Sequence, residues 1–427
     1  MKLLVIAFAL PSLFAQTGFA QTGLAPTGEH WVSTWSTSPQ APRALPAPRP
    51  QSPPAPPQPP QIASLHNQTL RMIAHTSIGG RRVRIELSNA FGRGALAIVT
   101  AHIALRDKES AIVPASDRPL LFDGQPSCTI PPGATELSDP VDLEVPAASD
   151  LAVSLYIPDS GTLTLHAVGL HTTYISKEGD LTGARTIEQG TTAQSYYFLT
   201  NIDVLAPADA AAIVTFGDSI TDGARSTPNT DRSWPSFLAR RLAASGGANI
   251  AVLNQGISGN RLLRDGAGIN ALARFDRDVL AQPGVKWLMV LEGINDIGLG
   301  SRAEAEASDA VTPEDLIGAL QQLIERAHAH GIKVIGGTLT PYEGAAYYSP
   351  AGEQIRLQVN QWIRSAGAFD AVVDFDAVTR DPGQPKRFRA NFNDGDHLHP
   401  NDAGYEAMAN AIDLSVFGLK SPATSSR

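Results

Sequence analysis

The sequence has only one cysteine, Cys128, among its 427 residues. An intrachain disulfide requires two cysteines and a cysteine-based metal site requires several, so both are excluded. A lipid-anchored lipoprotein would carry a cysteine at the cleavage site of its leader, and no cysteine lies there. Neither a disulfide framework nor a cysteine-held metal is therefore expected.

The chain also lacks any run of basic residues. It contains 33 lysines and arginines against 42 aspartates and glutamates, a formal net charge of −9. Nucleic acids and anionic membranes attract clustered positive charge, so neither is an expected partner. The hydrophobic content of 43% is typical of a globular protein, and the length exceeds one ordinary core. We therefore expect two folded domains.

Long apolar segments are absent beyond the N-terminus. There, Lys2 precedes an apolar segment over residues 3–14, and the sequence Gly18-Phe19-Ala20 follows. This order is typical of a secretory signal peptide over residues 1–20, and the apolar segment is too short to span a bilayer. We expect a mature chain that begins near Gln21 and has no integral membrane segment. Export without disulfides favours a secreted or periplasmic bacterial protein.

Residues 21–68 form the first predicted segment of the mature chain. Within it, residues 30–36 alternate in the manner of a strand. Prolines dominate residues 41–61, where they remove backbone N–H donors and hold the backbone near polyproline geometry. Because this part can form neither a helix nor a sheet, we expect a stiff exposed loop.

Residues 69–206 contain the signals of an all-β domain. Short alternating runs, such as residues 69–76 and 82–87, are separated by Gly, Pro and Asp. The pair Gly79-Gly80 between these two runs predicts a hairpin turn. Many short strands with turn residues between them predict an antiparallel sandwich or jelly roll.

Residues 207–418 alternate between strand and helix patterns, which predicts a parallel sheet with helices on both faces. The clearest helix follows Thr312, which can cap it, and has Pro313 at its first position. The polar residues 419–427 predict a flexible tail. The predicted strands of this domain are residues 211–216, 250–253, 287–291, 333–339 and 371–375.

The first of these strands leads into Gly217-Asp218-Ser219. A turn at this point would hold the serine hydroxyl at the C-terminal edge of the sheet, where open α/β sheets bind their ligands. We therefore predict that Ser219 is a nucleophile. An ordinary β-turn is the alternative interpretation, because all three residue types favour turns.

A serine nucleophile needs a base that takes its proton. Asp396 and His399 lie three residues apart late in the chain. On one turn of backbone the acid can accept a hydrogen bond from one imidazole nitrogen while the other nitrogen faces the serine. Two other interpretations remain open for this block. Asp394 and His397 add further ligand types for a metal site, and a solvated loop is also compatible with the sequence.

Two loops could supply hydrogen-bond donors to the same place. Gly259 follows the second strand and could bring its backbone N–H close to a ligand. Asn295 follows the third strand and offers a side-chain amide. Together with the N–H of Ser219 they are suitable donors for a developing oxyanion. Taken singly, each is equally compatible with a turn glycine or a loop asparagine.

Four sequence blocks occur in the order Gly-Asp-Ser-Ile, Ser-Gly-Asn, Gly-Ile-Asn-Asp and Asp-His-Leu-His-Pro. In combination they resemble the SGNH hydrolase superfamily, also called GDSL-type esterases and lipases, over residues 211–417. The resemblance implies a flavodoxin-like three-layer α/β/α domain that needs no cofactor or metal. It departs from the common pattern at Ile294, where many members have glycine, which could narrow the pocket.

The resemblance also assigns roles to single residues. It makes Ser219, Asp396 and His399 the catalytic triad. It makes the N–H groups of Ser219 and Gly259 and the amide of Asn295 the oxyanion hole. Asp394 and His397 are then neighbours of the triad and not members of it.

The activity implied by the resemblance is that of a serine esterase that acts on short acyl or acetyl esters through an acyl-enzyme. A β domain ahead of such a domain is similar to the arrangement in some carbohydrate esterases, so polysaccharide esters are candidate substrates beside small molecules. The alternatives are a lipase, arylesterase or thioesterase of the same family, or a non-catalytic glycan-binding protein. The aromatic residues considered for the substrate are Trp31 and Trp35, which strand spacing favours as core residues, and Tyr342, Tyr347 and Tyr348, which could line the pocket.

Overall fold

The computed structural model describes residues 28–42, 62–188, 190–302, 305 and 307–419. The predicted signal peptide, most of the proline-rich loop and nearly all of the predicted tail lie outside these residues. Within the described residues, no helix combines the length and the apolar character that a membrane crossing requires.

The N-terminal half is built almost entirely from strands. Most of them form two antiparallel sheets of five and six strands, and four short strands form two separate two-stranded sheets. Inward side chains of the two large sheets, such as Leu70, Ile85, Val153 and Val204, are fully buried in one core. The prediction of an all-β domain is thereby confirmed. The strands are β1 (Glu29–Ser36), β2 (His66–His75), β3 (Gly80–Ser88), β4 (Leu96–Ile98), β5 (Thr100–Leu105), β6 (Arg118–Pro119), β7 (Cys128–Ile130), β8 (Thr135–Leu137), β9 (Val141–Val145), β10 (Asp150–Asp159), β11 (Leu165–His166), β12 (Thr173–Ser176), β13 (Gly190–Ala193), β14 (Tyr196–Tyr197) and β15 (Leu199–Pro207).

The sheet topology corrects one prediction. The first sheet has the order β1-β15-β3-β8, with β9 also paired to β3, and the second has the order β13-β12-β2-β10-β5-β6. The predicted hairpin between β2 and β3 is therefore wrong, because these strands belong to different sheets. Gly79 and Gly80 turn the chain from one sheet to the other through a crowded corner. A Cβ on Gly79 would lie 2.5 Å from the carbonyl oxygen of Val145, and one on Gly80 would lie 2.8 Å from Val204 Cβ.

Strand β1 runs antiparallel to β15, from Glu29 opposite Pro207 to Ser36 opposite Asn201. It precedes the proline-rich stretch and lies outside the predicted β domain, which begins at residue 69. In the structure it nevertheless belongs to the same sheet as strands of that domain. The register of this pairing explains why the sequence does not indicate that β1 belongs to the sheet of the β domain. The pairing joins residues that are more than 160 positions apart along the chain.

The C-terminal half has the predicted alternation of strands and helices. Its five strands are all parallel in the order β17-β16-β18-β19-β20, the order of flavodoxin-like sheets. The predicted α/β fold class is confirmed. The strands are β16 (Ala211–Gly217), β17 (Ile250–Gly256), β18 (Val285–Leu291), β19 (Lys333–Gly337) and β20 (Ala371–Val373), and the helices are α1 (Ser219–Asp222), α2 (Trp234–Ala244), α3 (Ala271–Phe275), α4 (Ile294–Gly300), α5 (Pro313–Ala329), α6 (Pro350–Ser365), α7 (Phe375–Thr379) and α8 (Asp402–Asn410).

Local capping explains where these elements begin. Thr312 Oγ1 accepts the N–H of Asp315, and the Asp315 carboxylate accepts the N–H of Thr312, so α5 begins with a capping box. The last strand is shorter than predicted for the same kind of reason. The Asp374 side chain accepts the N–H of Ala377 and starts α7 at Phe375, so β20 ends at Val373.

The two halves meet where the chain leaves β1. Ser38 Oγ donates to Gln255 Oε1 over 2.5 Å, and Gln255 Nε2 donates to Ser36 Oγ over 2.7 Å. Arg274 Nη1 donates to Ser38 Oγ over 3.0 Å. These buried contacts attach the β half to β17, the strand that pairs with β16 and precedes the loop containing Gly259.

Candidate active site

Ser219 lies at the point where β16 ends and α1 begins. Asp218 caps this short helix, and its Oδ1 accepts the N–H of Ile220 over 2.9 Å. Only glycine fits at position 217, because a Cβ would lie 2.2 Å from the carbonyl oxygen of Leu291 and 2.4 Å from Thr221 Oγ1. Ser219 is therefore held at the carboxyl edge of the sheet. Its N–H, as the first of a helix, has no acceptor inside that helix.

His399 bridges the serine and an aspartate. Its Nε2 lies 2.8 Å from Ser219 Oγ, and its Nδ1 lies 2.7 Å from Asp396 Oδ2. An ionised carboxylate can only accept, so Nδ1 must carry the hydrogen of a neutral ring. This leaves the Nε2 lone pair facing the serine hydroxyl. Three residues from opposite ends of the domain thus form one line of hydrogen bonds.

Asp396 is fixed by donors on both oxygens. Its Oδ1 accepts the N–H groups of Leu398 and His399 and the amide of Asn393, each over 3.0 Å. Arg225 Nε lies 3.2 Å from Oδ2. Burial raises the pKa of Asp396, but the hydrogen bonds and the charge of His399 outweigh this and hold the pKa well below its usual range. The carboxylate is therefore ionised at neutral pH.

Asn295 is the second residue of α4, the helix that follows β18, and its side chain is buried. Its Nδ2 donates to the carbonyl oxygen of Asn260 over 2.9 Å, and its Oδ1 accepts from Tyr347 Oη over 3.2 Å. The tyrosine contact fixes which way the amide points. Because a primary amide carries two hydrogens on nitrogen, one remains for a further acceptor.

Gly259 lies in the loop after β17, with a φ of +83° that favours glycine. The preceding residue anchors the loop on α1. Ser258 donates to Asp222 Oδ2 through its N–H over 2.8 Å and through its hydroxyl over 2.5 Å. Gly256 allows the end of β17 to lie close to α1, since a Cβ at this position would lie 2.2 Å from the backbone nitrogen of Asp222.

Buried carboxylates lie beneath this edge of the sheet. Asp218 Oδ2 and both oxygens of Glu292 have no hydrogen-bond partner among the described residues. Burial, together with the charges of Asp296 and Asp222, raises the pKa of Asp218 to about 7. The buried guanidinium of Arg274 donates to Gly217 O over 3.0 Å and to Asp278 over 3.0 Å.

The remaining residues of the Asp-His-Leu-His-Pro block face elsewhere. Asp394 accepts from Asn401 over 3.1 Å, and His397 packs beside Gly344 with a φ of +58°. Among the residues that the structure describes, neither belongs to a group of three or more possible metal ligands.

One such cluster occurs among the described residues, where His75, Asp150 and Asp231 place ligand atoms within 4.8 Å of one another. It lies in the β half and at the edge of α2. His75 Nδ1 and Asp150 Oδ1 are 2.7 Å apart, a hydrogen-bond distance, and Arg106 Nη1 lies 2.8 Å from Asp150 Oδ2. The contacts are those of an ion-pair network, in which a cation would have to displace existing hydrogen bonds.

The structure gives the other predicted side chains definite surroundings. Ile294 is 2% exposed and lies in the hydrophobic core. Trp35 packs edge-on against Tyr196, with 4.7 Å between ring centroids, and belongs to the core as its strand spacing favoured. Tyr342 is fully buried behind Tyr347.

Sequence reasoning missed several residues that position this site. The sequence marks Tyr347 only as a candidate pocket residue and does not indicate its contact with Asn295. Asp222 lies two residues after the first sequence block, and an acidic residue so close to the candidate nucleophile was an available signal. His166 comes from the β half and lies 3.0 Å from Asp222, and nothing in its local sequence indicates that contact.

The arrangement can perform acyl transfer chemistry. A hydroxyl, an imidazole with a free lone pair and an ionised carboxylate stand in one line, which is the nucleophile–base–orienter geometry. Candidate amide donors, Gly259 and Asn295, follow the neighbouring strands β17 and β18 at the same edge of the sheet. The geometry makes the serine proton removable and leaves N–H groups for a negatively charged oxygen.

Residues 215–407 match the model of the GDSL-like Lipase/Acylhydrolase family. No curated protein matches the chain. Similar solved structures include an acetylxylan esterase from Geobacillus stearothermophilus, with 23% identity, 49% of this chain and 95% of that chain covered, and a TM-score of 0.38. A GDSL-like lipase from Bacteroides thetaiotaomicron has 20% identity, coverage of 48% and 88%, and a TM-score of 0.36. An alpha/beta hydrolase from the metagenome of Lake Arreo has 22% identity, coverage of 49% and 96%, and a TM-score of 0.38.

Proposed function

We propose that this chain, which carries a domain of the GDSL-like Lipase/Acylhydrolase family at residues 215–407, is a serine esterase that cleaves carboxylic esters through an acyl-enzyme. The observation that carries the proposal is the line of hydrogen bonds from Asp396 through His399 to Ser219, with distances of 2.7 and 2.8 Å. An ordinary turn serine has no need of an imidazole whose other nitrogen is fixed by a carboxylate.

In the proposed mechanism, His399 Nε2 takes the hydroxyl proton of Ser219 while the serine oxygen attacks the ester carbonyl carbon. The carbonyl oxygen becomes an oxyanion that accepts hydrogen bonds from the N–H groups of Ser219 and Gly259 and from Asn295 Nδ2. Asp396 stabilises the imidazolium that forms on His399. The imidazolium then gives its proton to the leaving alcohol, and an acyl-serine remains.

The second half of the cycle repeats these steps with water. His399 removes a proton from a water molecule, and the hydroxide attacks the acyl-serine carbonyl. The same donors hold the second oxyanion. The proton returns to the Ser219 oxygen as the carboxylic acid leaves, which restores the starting state. No cofactor or metal is required by these steps.

For the substrate we propose short acyl esters, with acetylated carbohydrates as the class to test first. The proposal also places the enzyme outside the cytoplasm, on the basis of the signal pattern in residues 1–20. A chain-length series of nitrophenyl esters, tested beside acetylated oligosaccharides and thioesters, separates this substrate class from lipase and thioesterase activity. Activity that rises with acyl length would contradict the short-acyl assignment.

The decisive experiment replaces the nucleophile. Ser219→Ala is expected to abolish both ester hydrolysis and covalent labelling by a fluorophosphonate, because the Ser219 oxygen is the atom proposed to form the acyl-enzyme. A matched control is Ser226→Ala, which removes a buried hydroxyl that has no hydrogen-bond partner in the described part of the chain.

The control is expected to retain labelling and turnover. Labelling of the Ser219→Ala variant would sink the assignment of the nucleophile. Binding of acetylated oligosaccharides without any hydrolysis by the parent protein would favour a non-catalytic glycan-binding protein instead.

A further inference from the structure

A buried ion pair joins the two halves of the molecule next to the candidate nucleophile. His166, at the end of β11 in the β half, places Nε2 at 3.0 Å from Oδ1 of Asp222, the last residue of α1. The two side chains are 5% and 3% exposed. Asp222 lies three residues after Ser219, so this pair connects the β half directly to the helix that begins with the serine.

Asp222 divides its two oxygens between the two halves. Oδ1 faces His166, whereas Oδ2 accepts both the N–H and the hydroxyl of Ser258 over 2.8 and 2.5 Å. The carbonyl of Ser258 and the N–H of Gly259 belong to one planar peptide unit. Because Asp222 holds both the N–H and the hydroxyl of Ser258, it also restricts the direction in which the Gly259 N–H points.

His166 is itself held on its other side. Its Nδ1 lies 2.9 Å from the backbone oxygen of Ser38, an atom that can only accept. The strand that carries His166 pairs with β14, where His166 stands opposite Tyr196. The ring cannot turn without losing a hydrogen bond at both nitrogens.

We propose that His166 is a positioning residue for the oxyanion hole, which acts through Asp222 and Ser258 on the N–H of Gly259. The proposal rests on the proposed function and on Gly259 as an oxyanion donor. Without the imidazole, Asp222 is a buried carboxylate that has lost one of its two partners, and it is free to shift with the loop attached to it. The β half thereby becomes part of the catalytic apparatus and is not merely attached to it.

The test compares His166→Ala with the parent in the full-length protein. We measure kcat and KM on nitrophenyl acetate for each active site, with sites counted by fluorophosphonate labelling taken to completion. The affinity for a trifluoromethyl ketone, which forms a hemiketal oxyanion on a serine, is measured in parallel. Because a donor misplaced by a small distance loses much of its effect, we expect kcat to fall about tenfold to hundredfold with KM little changed. The ketone is expected to lose affinity by a similar factor.

Two further variants separate positioning from general destabilisation. His171→Ala is the matched control, because His171 Nε2 also crosses the interface to an aspartate, Asp231, over 2.8 Å, with the histidine side chain 8% exposed. We expect this control to lower the thermal midpoint but to keep kcat for each labelled site within about twofold. His166→Gln retains an N–H donor that can reach Asp222, so its kcat should lie between those of the parent and His166→Ala.

A double-mutant cycle tests whether the effect of His166 on kcat passes through Asp222 and Ser258. His166→Ala and Ser258→Ala both act through Asp222, so their combined loss in kcat should be smaller than the product of the single losses. If the losses multiply, or if His166→Ala affects kcat no more than His171→Ala does, the positioning role is overturned. If the parent neither hydrolyses esters nor labels at Ser219, the proposed function fails and this inference fails with it.

Discussion

Two histidines of this molecule have similar hydrogen-bond surroundings, but only one of them is suited to accept a proton. His399 lies between a carboxylate and the hydroxyl of Ser219, at 2.7 and 2.8 Å. His166 lies between a carboxylate, Asp222, and the backbone oxygen of Ser38, at 3.0 and 2.9 Å. Both therefore have an aspartate at one ring nitrogen and an oxygen at the other.

The second partner decides what each ring can do. A hydroxyl can donate, so the Nε2 of His399 can remain unprotonated and accept the serine proton. A carbonyl and a carboxylate can only accept, so both nitrogens of His166 must carry hydrogens and the ring is a cation. Burial lowers the pKa of His166, but the charge of Asp222 and its hydrogen bonds outweigh that effect and raise it above the ordinary value. A proton acceptor thus needs a partner that can give up a proton.

The largest expected effect comes from removing the proposed base. His399→Gln should lower kcat on nitrophenyl acetate by roughly ten-thousandfold or more, because loss of a triad histidine removes proton transfer in both halves of the cycle. The loss should far exceed that of His166→Ala, which displaces a donor but leaves the base intact. Steady-state kinetics, normalised to the concentration of folded protein, measure the difference.

His397→Gln is the matched control for this substitution. His397 lies two residues away in the same block, and its ring packs beside Gly344. We expect its kcat to stay within about threefold of the parent. Equal losses at the two positions would mean that the loop, and not the imidazole of His399, is what activity requires.

A smaller effect is expected at the side-chain donor of the proposed oxyanion hole. Asn295→Ala should lower kcat by roughly a hundredfold or more with little change in KM, since the lost hydrogen bond strengthens as the oxyanion forms. We expect the loss to exceed that of His166→Ala, which is proposed to displace a different donor, the N–H of Gly259, without removing it. An Asn295→Ala enzyme with full esterase activity would contradict the assignment of the oxyanion hole.

The smallest expected effect is on the pH dependence of the free energy of unfolding, and it comes from comparing two buried aspartates. Asp222 has a histidine partner, whereas Asp218 has an oxygen without any partner among the described residues, and its pKa rises from 3.8 to about 7. The folded state therefore binds this proton more tightly than the unfolded chain does. Stability from this group is highest below about pH 4 and falls as the pH rises towards 7, by on the order of a few kcal/mol.

Asp218→Asn should remove this part of the pH dependence. Asparagine can keep the helix cap, because its side-chain oxygen can still accept the N–H of Ile220. Urea unfolding at pH 5 and pH 8 measures the result, with a smaller stability loss expected for the variant than for the parent. Identical pH profiles for the two proteins would show that Asp218 does not titrate in this range.

The fold was largely predictable from local patterns, and the exceptions have physical causes. The strand–helix alternation predicted the parallel sheet, and Thr312 and Pro313 marked the start of α5. The hairpin at Gly79-Gly80 was wrong because the same glycines also suit a tight corner between two sheets. Local sequence does not distinguish these two uses, since the difference lies in which distant strand becomes the neighbour.

Some residues of the candidate site were predictable from the sequence and others were not. Ser219, Gly259, Asn295, Asp396 and His399 were indicated by residue type, by their places at strand ends and by the resemblance to a family. Their roles in catalysis remain predictions, which the experiments above test. Tyr347 and His166 carried no comparable signal, because a side chain that orients another one is defined only by the contact itself.

The sequence by itself determined the fold class of each half and the set of reactive side chains, because these follow from spacing and side-chain chemistry along the chain. Only the tertiary structure decided which histidine faces a hydroxyl and which faces a carbonyl. Ser219 and His399 are 180 positions apart, and His166 and Asp222 are 56 positions apart. Whether an imidazole is a base or a fixed cation depends on the atoms that packing brings within hydrogen-bond reach, and packing is a property of the folded chain.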